Sequence, residues 1–173
     1  MVEKTPIKKL TVLGPAGTGK TWMMIVAASK LYFSLKRRGK NGRILIVTVT
    51  RGIKIYIQDA LHKLISYDSA GVDDGRGIEV QTLAEAESKL KGNSETHCGI
   101  FLDECHNISQ ADGERLLRLW KKDERHHECS RFWMFGDVDQ FMFSFKEGFD
   151  KENTLAAVSY RNKDYYHLTQ IVR

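Results

Sequence analysis

The chain has 173 residues, 42% hydrophobic and 28% charged, with 27 Lys+Arg against 22 Asp+Glu for a formal charge of +5. That suits one domain with a real core and is too short for two full enzyme domains; it excludes a disordered chain and permits a nucleic-acid partner without demanding one. No run reaches the roughly 18 apolar residues of a spanning helix, residues 1–9 are too polar for a signal peptide, and three cysteines without an export signal fit reduced thiols, so an intracellular protein with no membrane partner is expected.

Residues 9–13 form a short strand-like run that stops at Gly14. Over 19–38, Met23, Met24, Val26, Ala27, Lys30, Leu31, Ser34 and Leu35 recur at helical spacing, and Gly39 closes the pattern. Residues 44–49 are a β-branched run of the kind buried on both faces of a sheet. A second helix is predicted over 53–65, a loop over 66–77, a strand at 78–81 and a short helix at 83–90. Another buried strand covers 99–102. Ser109 opens a helix running to about Glu124, with Asp112 three residues on in a capping-box-like position. A further strand at 132–135 ends at Gly136, while 146–164 is charged and too weakly periodic to assign.

This alternation predicts an α/β fold, a mostly parallel sheet with helices on both faces, in a single domain over 1–173. Ligands of such sheets sit beyond the carboxyl ends of the strands. The segments that matter most are therefore 14–21, 48–51, 82, 103–106 and 136–140.

Gly14-Pro15-Ala16-Gly17-Thr18-Gly19-Lys20-Thr21 fits G-x-x-x-x-G-K-[ST], placed between a strand and a helix as that motif requires. Its glycines let backbone N–H groups wrap a phosphate, and the following helix turns its positive dipole end toward the same anion. Lys20 would reach the β and γ phosphates, and the Thr21 hydroxyl would complete a Mg²⁺ shell. Ile100-Phe101-Leu102-Asp103-Glu104-Cys105-His106 ends a buried strand in two carboxylates, a costly arrangement unless a cation or donors meet them. Asp103 would hold Mg²⁺ through its water shell, and Glu104 would polarise the water that attacks the γ phosphate. A water-activating glutamate disfavours phosphotransferases. Asn162-Lys163-Asp164 brings its aspartate one residue too early for the guanine-reading N-K-x-D, so ATP, or another purine nucleotide read loosely, is the expected ligand.

Gly136-Asp137-Val138-Asp139-Gln140 resembles the G-D-x-x-Q third motif of superfamily 1 helicases. With Gly14 to Thr21 and Asp103-Glu104-Cys105-His106, its order and spacing resemble that family's first RecA-like motor domain, a P-loop NTPase. Thr48-Val49-Thr50-Arg51 resembles the T-x-T-N segment, and Thr82-Leu83 the next element on the same strand-binding face. Leu168-Thr169-Gln170-Ile171-Val172-Arg173 is similar to the fourth motif, closed by an arginine that reaches the γ phosphate. The texture of this last run also resembles a Schlafen-like or related eukaryotic branch. The likeness spans about 10–173.

The resemblance implies an ATP- and Mg²⁺-dependent hydrolase coupled to single-stranded RNA or DNA. Gln140 would sense the γ phosphate, His106 would link the acidic motif to its neighbours, and Arg173 would add charge in the transition state. Thr48, Thr50, Arg51 and Thr82 would lie along the nucleic acid. Departures are visible: no glutamine precedes Gly14 to read adenine, Arg51 replaces Asn, and Ala84 stands where His is common. The family's second RecA-like domain is missing from these 173 residues, so it is expected in cis or as a protein partner, with weak activity for this domain alone. The alternative is a nucleotide-gated protein-interaction module without helicase activity.

Blander explanations compete elsewhere. The basic run at 36–40 falls at the far end of the first predicted helix, where cations complement the dipole. Cys105, His106, His126, His127 and Cys129 lack the paired spacing of a zinc site. Phe132, Trp133, Phe135 and Cys98 read as core. Trp22 either stacks on a base or, more simply, packs on the sheet. Phe141, Phe143 and Phe145 are candidates for base stacking.

Overall fold

Ile44, Leu45, Ile46 and Val47 are all fully buried, as are Ile100 and Leu102, and strands with no polar alternation need cover on both faces. A computed structural model describes residues 9–40, 42–68, 77–92, 97–121, 130–140 and 150–168. It contains strands β1 (Lys9–Leu13), β2 (Arg43–Thr48), β3 (Ile78–Thr82), β4 (His97–Leu102), β5 (Arg131–Gly136) and β6 (Tyr166–His167). They form one sheet in the order β3-β2-β4-β5-β1-β6, and every neighbouring pair is parallel.

The helices are α1 (Lys20–Arg37), α2 (Arg51–Asp68), α3 (Leu83–Gly92), α4 (Gln110–Lys121) and α5 (Leu155–Arg161). On one face, Met24, Ile25, Ala28, Tyr32 and Leu35 of α1 and Ile57, Leu61 and Ile65 of α2 pack on Ile44, Ile46, Phe101 and Phe135. On the other, Ala86 of α3, Leu116 of α4 and Ala156 of α5 pack on Leu45, Val47, Ile100, Leu102 and Phe132. Successive residues of β2 thus feed opposite layers, the period of two that a strand imposes. The expected α/β sheet covered on both faces is what the chain builds. No described helix is long and apolar enough to cross a membrane.

The predicted elements are recovered. α2, β3, α3, β4 and β5 run longer than expected, α2 through Asp68 into the stretch 66–77 predicted as a loop. By contrast, α1 is one residue shorter at each end, β2 is shifted by one residue and α4 spans Gln110–Lys121. α2 starts at Arg51 because the Thr50 hydroxyl accepts the Ile53 N–H at 3.3 Å, capping the helix two residues earlier than periodicity alone indicates. β4 begins at His97 and extends the expected strand backwards. At α4 the capping expectation holds: Ser109 Oγ accepts the Asp112 N–H at 3.1 Å and donates to the Asp112 carboxylate at 2.6 Å. The unassigned stretch holds α5, opened by Thr154, whose hydroxyl accepts the Ala157 N–H at 3.2 Å. Seven residues are too few to show a periodic stripe.

Phe132, Phe135 and Cys98 are core, and Trp133 is partly buried against the α1 layer. The basic run closes α1, an 18-residue helix about 27 Å long, at the end away from the phosphate loop, and Lys36 Nζ sits 5.5 Å over the Tyr32 ring. One packing expectation fails. Trp22 does not lie on the sheet; it is 51% exposed, because the buried stripe of α1 begins only at Met24.

Candidate functional site

The carboxyl ends of β1, β4 and β5 lie side by side and supply the site's three segments. Beyond β1, Gly17 (φ 75°) and Gly19 (φ 80°) take left-handed conformations that turn the chain back into α1. Thr18 ties the loop down, its hydroxyl donating to the Pro15 carbonyl at 2.8 Å. Gly14 donates its N–H to the Gly136 carbonyl at 3.1 Å, so the loop is anchored to the end of β5.

The first intrahelical bond of α1 runs from the Met23 N–H to the Gly19 carbonyl at 2.8 Å. The N–H groups of Lys20, Thr21 and Trp22 therefore point out of the helix end, which is the donor array that binds an anion. Lys20 Nζ donates to the Gly14 and Pro15 carbonyls at 2.6 and 2.8 Å, folding its charge into the loop.

Thr21 Oγ1 lies 3.3 and 3.2 Å from the two oxygens of Asp103, donating to a carboxylate 82 residues away in the chain. Asp103 follows β4 and is held by its own N–H, which donates to the Val47 carbonyl at 2.8 Å. Its side chain is buried. Burial first, and then the neighbouring Glu104 charge, push its carboxyl up to about 7, against the pull of Thr21 and Lys20. Such a carboxylate is one that a cation would relieve. Among the described residues no group of three or more His, Cys, Asp and Glu side chains gathers as a metal site. One hydroxyl and one carboxylate nevertheless suit magnesium, which keeps several waters and takes phosphate oxygens for the remainder.

Glu104 adopts φ 53°, a left-handed conformation that costs a non-glycine residue about 1 kcal/mol or more. The turn is retained by Cys105–Asn107, a single 3₁₀ turn in which the Asn107 N–H donates to the Glu104 carbonyl at 2.8 Å. That turn swings the carboxylate back onto His106, whose Nε2 lies 2.9 Å from Glu104 Oε2. The His106 contact, working against partial burial, holds the Glu104 carboxyl below the usual range. His106 is wholly buried, and its Nδ1 accepts the Asp137 N–H at 3.0 Å, which assigns the ring's proton to Nε2, facing Glu104. A continuous contact thus joins the Glu104 carboxylate to the backbone beyond β5. Gly136 permits it, since a Cβ there would lie 2.6 Å from Cys105 Sγ.

The structure brings Gly14 to Thr21, Asp103, Glu104, His106 and Asp137 together. Gln140 lies exposed four residues beyond β5. Arg173, Phe141, Phe143, Phe145, His126, His127 and Cys129 lie outside the described residues. Thr48 is completely buried at the end of β2 and offers no surface, Thr50 caps α2, and Arg51 is exposed on its first turn. Thr82 opens α3, its N–H donating to Glu85 Oε2 at 2.7 Å, while Lys54 Nζ meets the same oxygen at 2.8 Å. The role of Glu85 was legible as Thr82-x-x-Glu85, a capping box. Also unread was the brace beneath the acidic turn: Leu155 N–H donates to the Ile108 carbonyl at 3.0 Å, and Ser109 bridges Thr154.

A model of the AAA domain family matches residues 2–146. No curated protein matches the chain. Among solved structures, the N-terminal domain of the DNA packaging ATPase from bacteriophage phi29 is similar at TM-score 0.55 and 16% identity, over 75% of this chain and 72% of that one. The UvsW helicase from bacteriophage T4 is similar at 0.53 and 15% identity, over 94% of this chain and 54% of the helicase. Arterivirus nonstructural protein 10, a helicase solved with DNA, is similar at 0.51 and 15% identity, over 96% of this chain and 42% of that protein. At such identities the likeness is one of fold, the RecA-like P-loop α/β sheet, and the chain spans about half of each helicase.

Proposed function

The chain belongs to the AAA domain family, and from that premise we propose that it is the ATP-binding and hydrolysing domain of a superfamily 1 helicase-like protein, coupled to single-stranded nucleic acid. The observation that carries this reading is the convergence of Thr21 on Asp103 beside Lys20 and Glu104. Binding exchanges the two carbonyl partners of Lys20 for phosphate oxygens, to which the N–H groups of Lys20, Thr21 and Trp22 also donate. Magnesium, when bound with the nucleotide, would be held by the Thr21 hydroxyl and the Asp103 carboxylate and would neutralise charge on the β and γ oxygens.

Glu104 then acts as the general base. The His106 contact holds its carboxyl below the usual range, and with Oε2 on His106 its other oxygen is left for the attacking water. His106 is a positioning residue that holds this carboxylate and ties it to the Asp137 backbone, so a shift of the segment carrying Gln140 moves the base. Gln140 and Arg173 are the proposed γ-phosphate sensor and transition-state cation, and Thr50, Arg51 and Thr82 the proposed nucleic-acid face, from which the burial of Thr48 removes that residue.

Steady-state ATP hydrolysis with and without single-stranded RNA or DNA tests the proposal. A strand should stimulate turnover; Glu104→Gln should abolish it with ATP affinity intact, and Lys20→Ala should weaken affinity itself. Unaltered turnover in both variants refutes the assignments. Burial of Thr48 and the capping roles of Thr50 and Thr82 favour a second reading, a nucleotide-gated protein-interaction module. ATP binding with turnover indifferent to both RNA and DNA would select it.

A further inference from the structure

Residues 154–168 meet both halves of the site. At their start, Thr154 forms an antiparallel bridge with Ser109, and the Leu155 N–H donates to the Ile108 carbonyl at 3.0 Å, directly behind the turn that aims Glu104. Gly113 of α4 leaves no room for a Cβ beside the Leu155 side chain, so this end is closely packed. Midway, the Ser159 and Thr11 hydroxyls meet at 3.2 Å inside the fold and fix α5 to β1. At their end, the Leu168 N–H donates to the Leu13 carbonyl at 2.8 Å. Leu168 then lies against Gly14, where a Cβ would stand 2.7 Å from the Leu168 carbonyl oxygen and 3.0 Å from its Cβ. Gly14 is the residue whose carbonyl holds Lys20 Nζ at 2.6 Å, and on its other side its N–H reaches Gly136.

Resting on the nucleotide-binding reading of this site, we propose that residues 154–168 are a tie between the acidic turn and the phosphate loop. Leu155 is a positioning residue for Glu104 and Leu168 one for Lys20, each acting through the residue it holds. A base and a cation serve one γ phosphate only while their separation is kept to within about 0.5 Å. The segments that carry them leave different strands, β4 and β1, and β5 lies between these in the sheet. The tie bridges that gap in a single run of chain. Its two ends act on different steps, so loosening the first slows turnover and loosening the second weakens binding.

The test compares, at each end, an alanine that keeps the backbone N–H with a proline that deletes it. Leu155 is the first residue of α5, where proline fits, and Thr154 ahead of it is already extended at φ −81° and ψ 158°. Leu168 follows the edge strand β6, whose extended backbone also admits a proline after it. Calorimetry with magnesium reads ATP affinity, steady-state hydrolysis by the whole chain reads kcat, and urea unfolding reads stability. Leu155→Pro should lower kcat about tenfold or more below Leu155→Ala and leave ATP affinity within about threefold. Leu168→Pro should weaken ATP about tenfold relative to Leu168→Ala and leave kcat at saturation within about threefold. The inference is overturned if either proline variant matches its alanine partner in the constant it should move, or if kcat and affinity fall together in step with lost stability. Should a proline variant not fold, hydrogen exchange of the parent decides. Mg·ATP should slow exchange at the Leu155 and Leu168 N–H groups, and unchanged exchange at both overturns the tie. A parent that binds no ATP would instead bring down the phosphate-loop reading, and this inference with it.

Discussion

Removing the negative charge of Asp103 should stabilise the nucleotide-free chain and at the same time destroy its response to Mg·ATP. Asp103 is 2% exposed, and burial with the Glu104 charge lifts its carboxyl from 3.8 to about 7. Each unit is worth about 1.4 kcal/mol, so a rise of about three units corresponds to a cost of roughly 4 kcal/mol once both folded and unfolded states are ionised. Because the folded value lies above the unfolded one, the folded chain keeps a proton that the unfolded chain has released. The cost therefore grows as pH climbs from about 4 to about 7 and is constant beyond.

Asp103→Asn preserves the side chain's shape and an oxygen for Thr21 while deleting the charge. Urea unfolding across pH, with chelator and no nucleotide, should show the variant ahead by about 2–4 kcal/mol above roughly pH 7.5. The gap should close toward about pH 4. Adding Mg·ATP should then raise the parent's midpoint and leave the variant's unmoved. If the parent is the more stable at every pH without nucleotide, Asp103 is already compensated within the fold and its burial is not a reserve for a cation.

Gly136→Ala drives a methyl to 2.6 Å from Cys105 Sγ and 3.2 Å from the His106 N atom, so it should cost about 1–3 kcal/mol in urea unfolding. Adding Cys105→Ala should recover part of that loss, and a neutral Gly136→Ala would contradict the close approach of β5 to the acidic turn. Lys54 first, and then the Thr82 N–H, hold the Glu85 carboxyl down to about 2. Its contribution is therefore complete above the ordinary carboxylate range and is lost as pH falls toward about 2. Glu85→Gln should lower the thermal midpoint at neutral pH, by a difference that vanishes on acidification; a pH-independent difference would mean that packing, not charge, is at work.

What the sequence disclosed best was chemistry with fixed local spacing. Gly14 to Thr21 needs only a strand before it and a helix after it, and both stand in the structure. Asp103 and Glu104 were legible because two acids closing an apolar strand require an external partner. The strand order was not legible: that β5 separates β1 from β4 depends on pairings between residues far apart in the chain. The same holds for α5, which is too short for periodicity and is fixed by Leu155 on Ile108 and by the 3.2 Å contact between Thr11 and Ser159. Trp22 was misjudged because helical spacing gives a face only once the register of α1 on the sheet is known. Its neighbours Met24 and Ile25 take the buried stripe.

The most direct test of the account is calorimetric titration of ATP into the parent and Thr21→Val, each with and without magnesium. Valine matches threonine in size and lacks only the hydroxyl that joins Thr21 to Asp103. The parent should bind ATP with an affinity that magnesium strengthens, and the variant should bind more weakly and be insensitive to the metal. A parent with no magnesium-dependent affinity, or a variant indistinguishable from it, would contradict the claim that Lys20, Thr21 and Asp103 form one metal–nucleotide site.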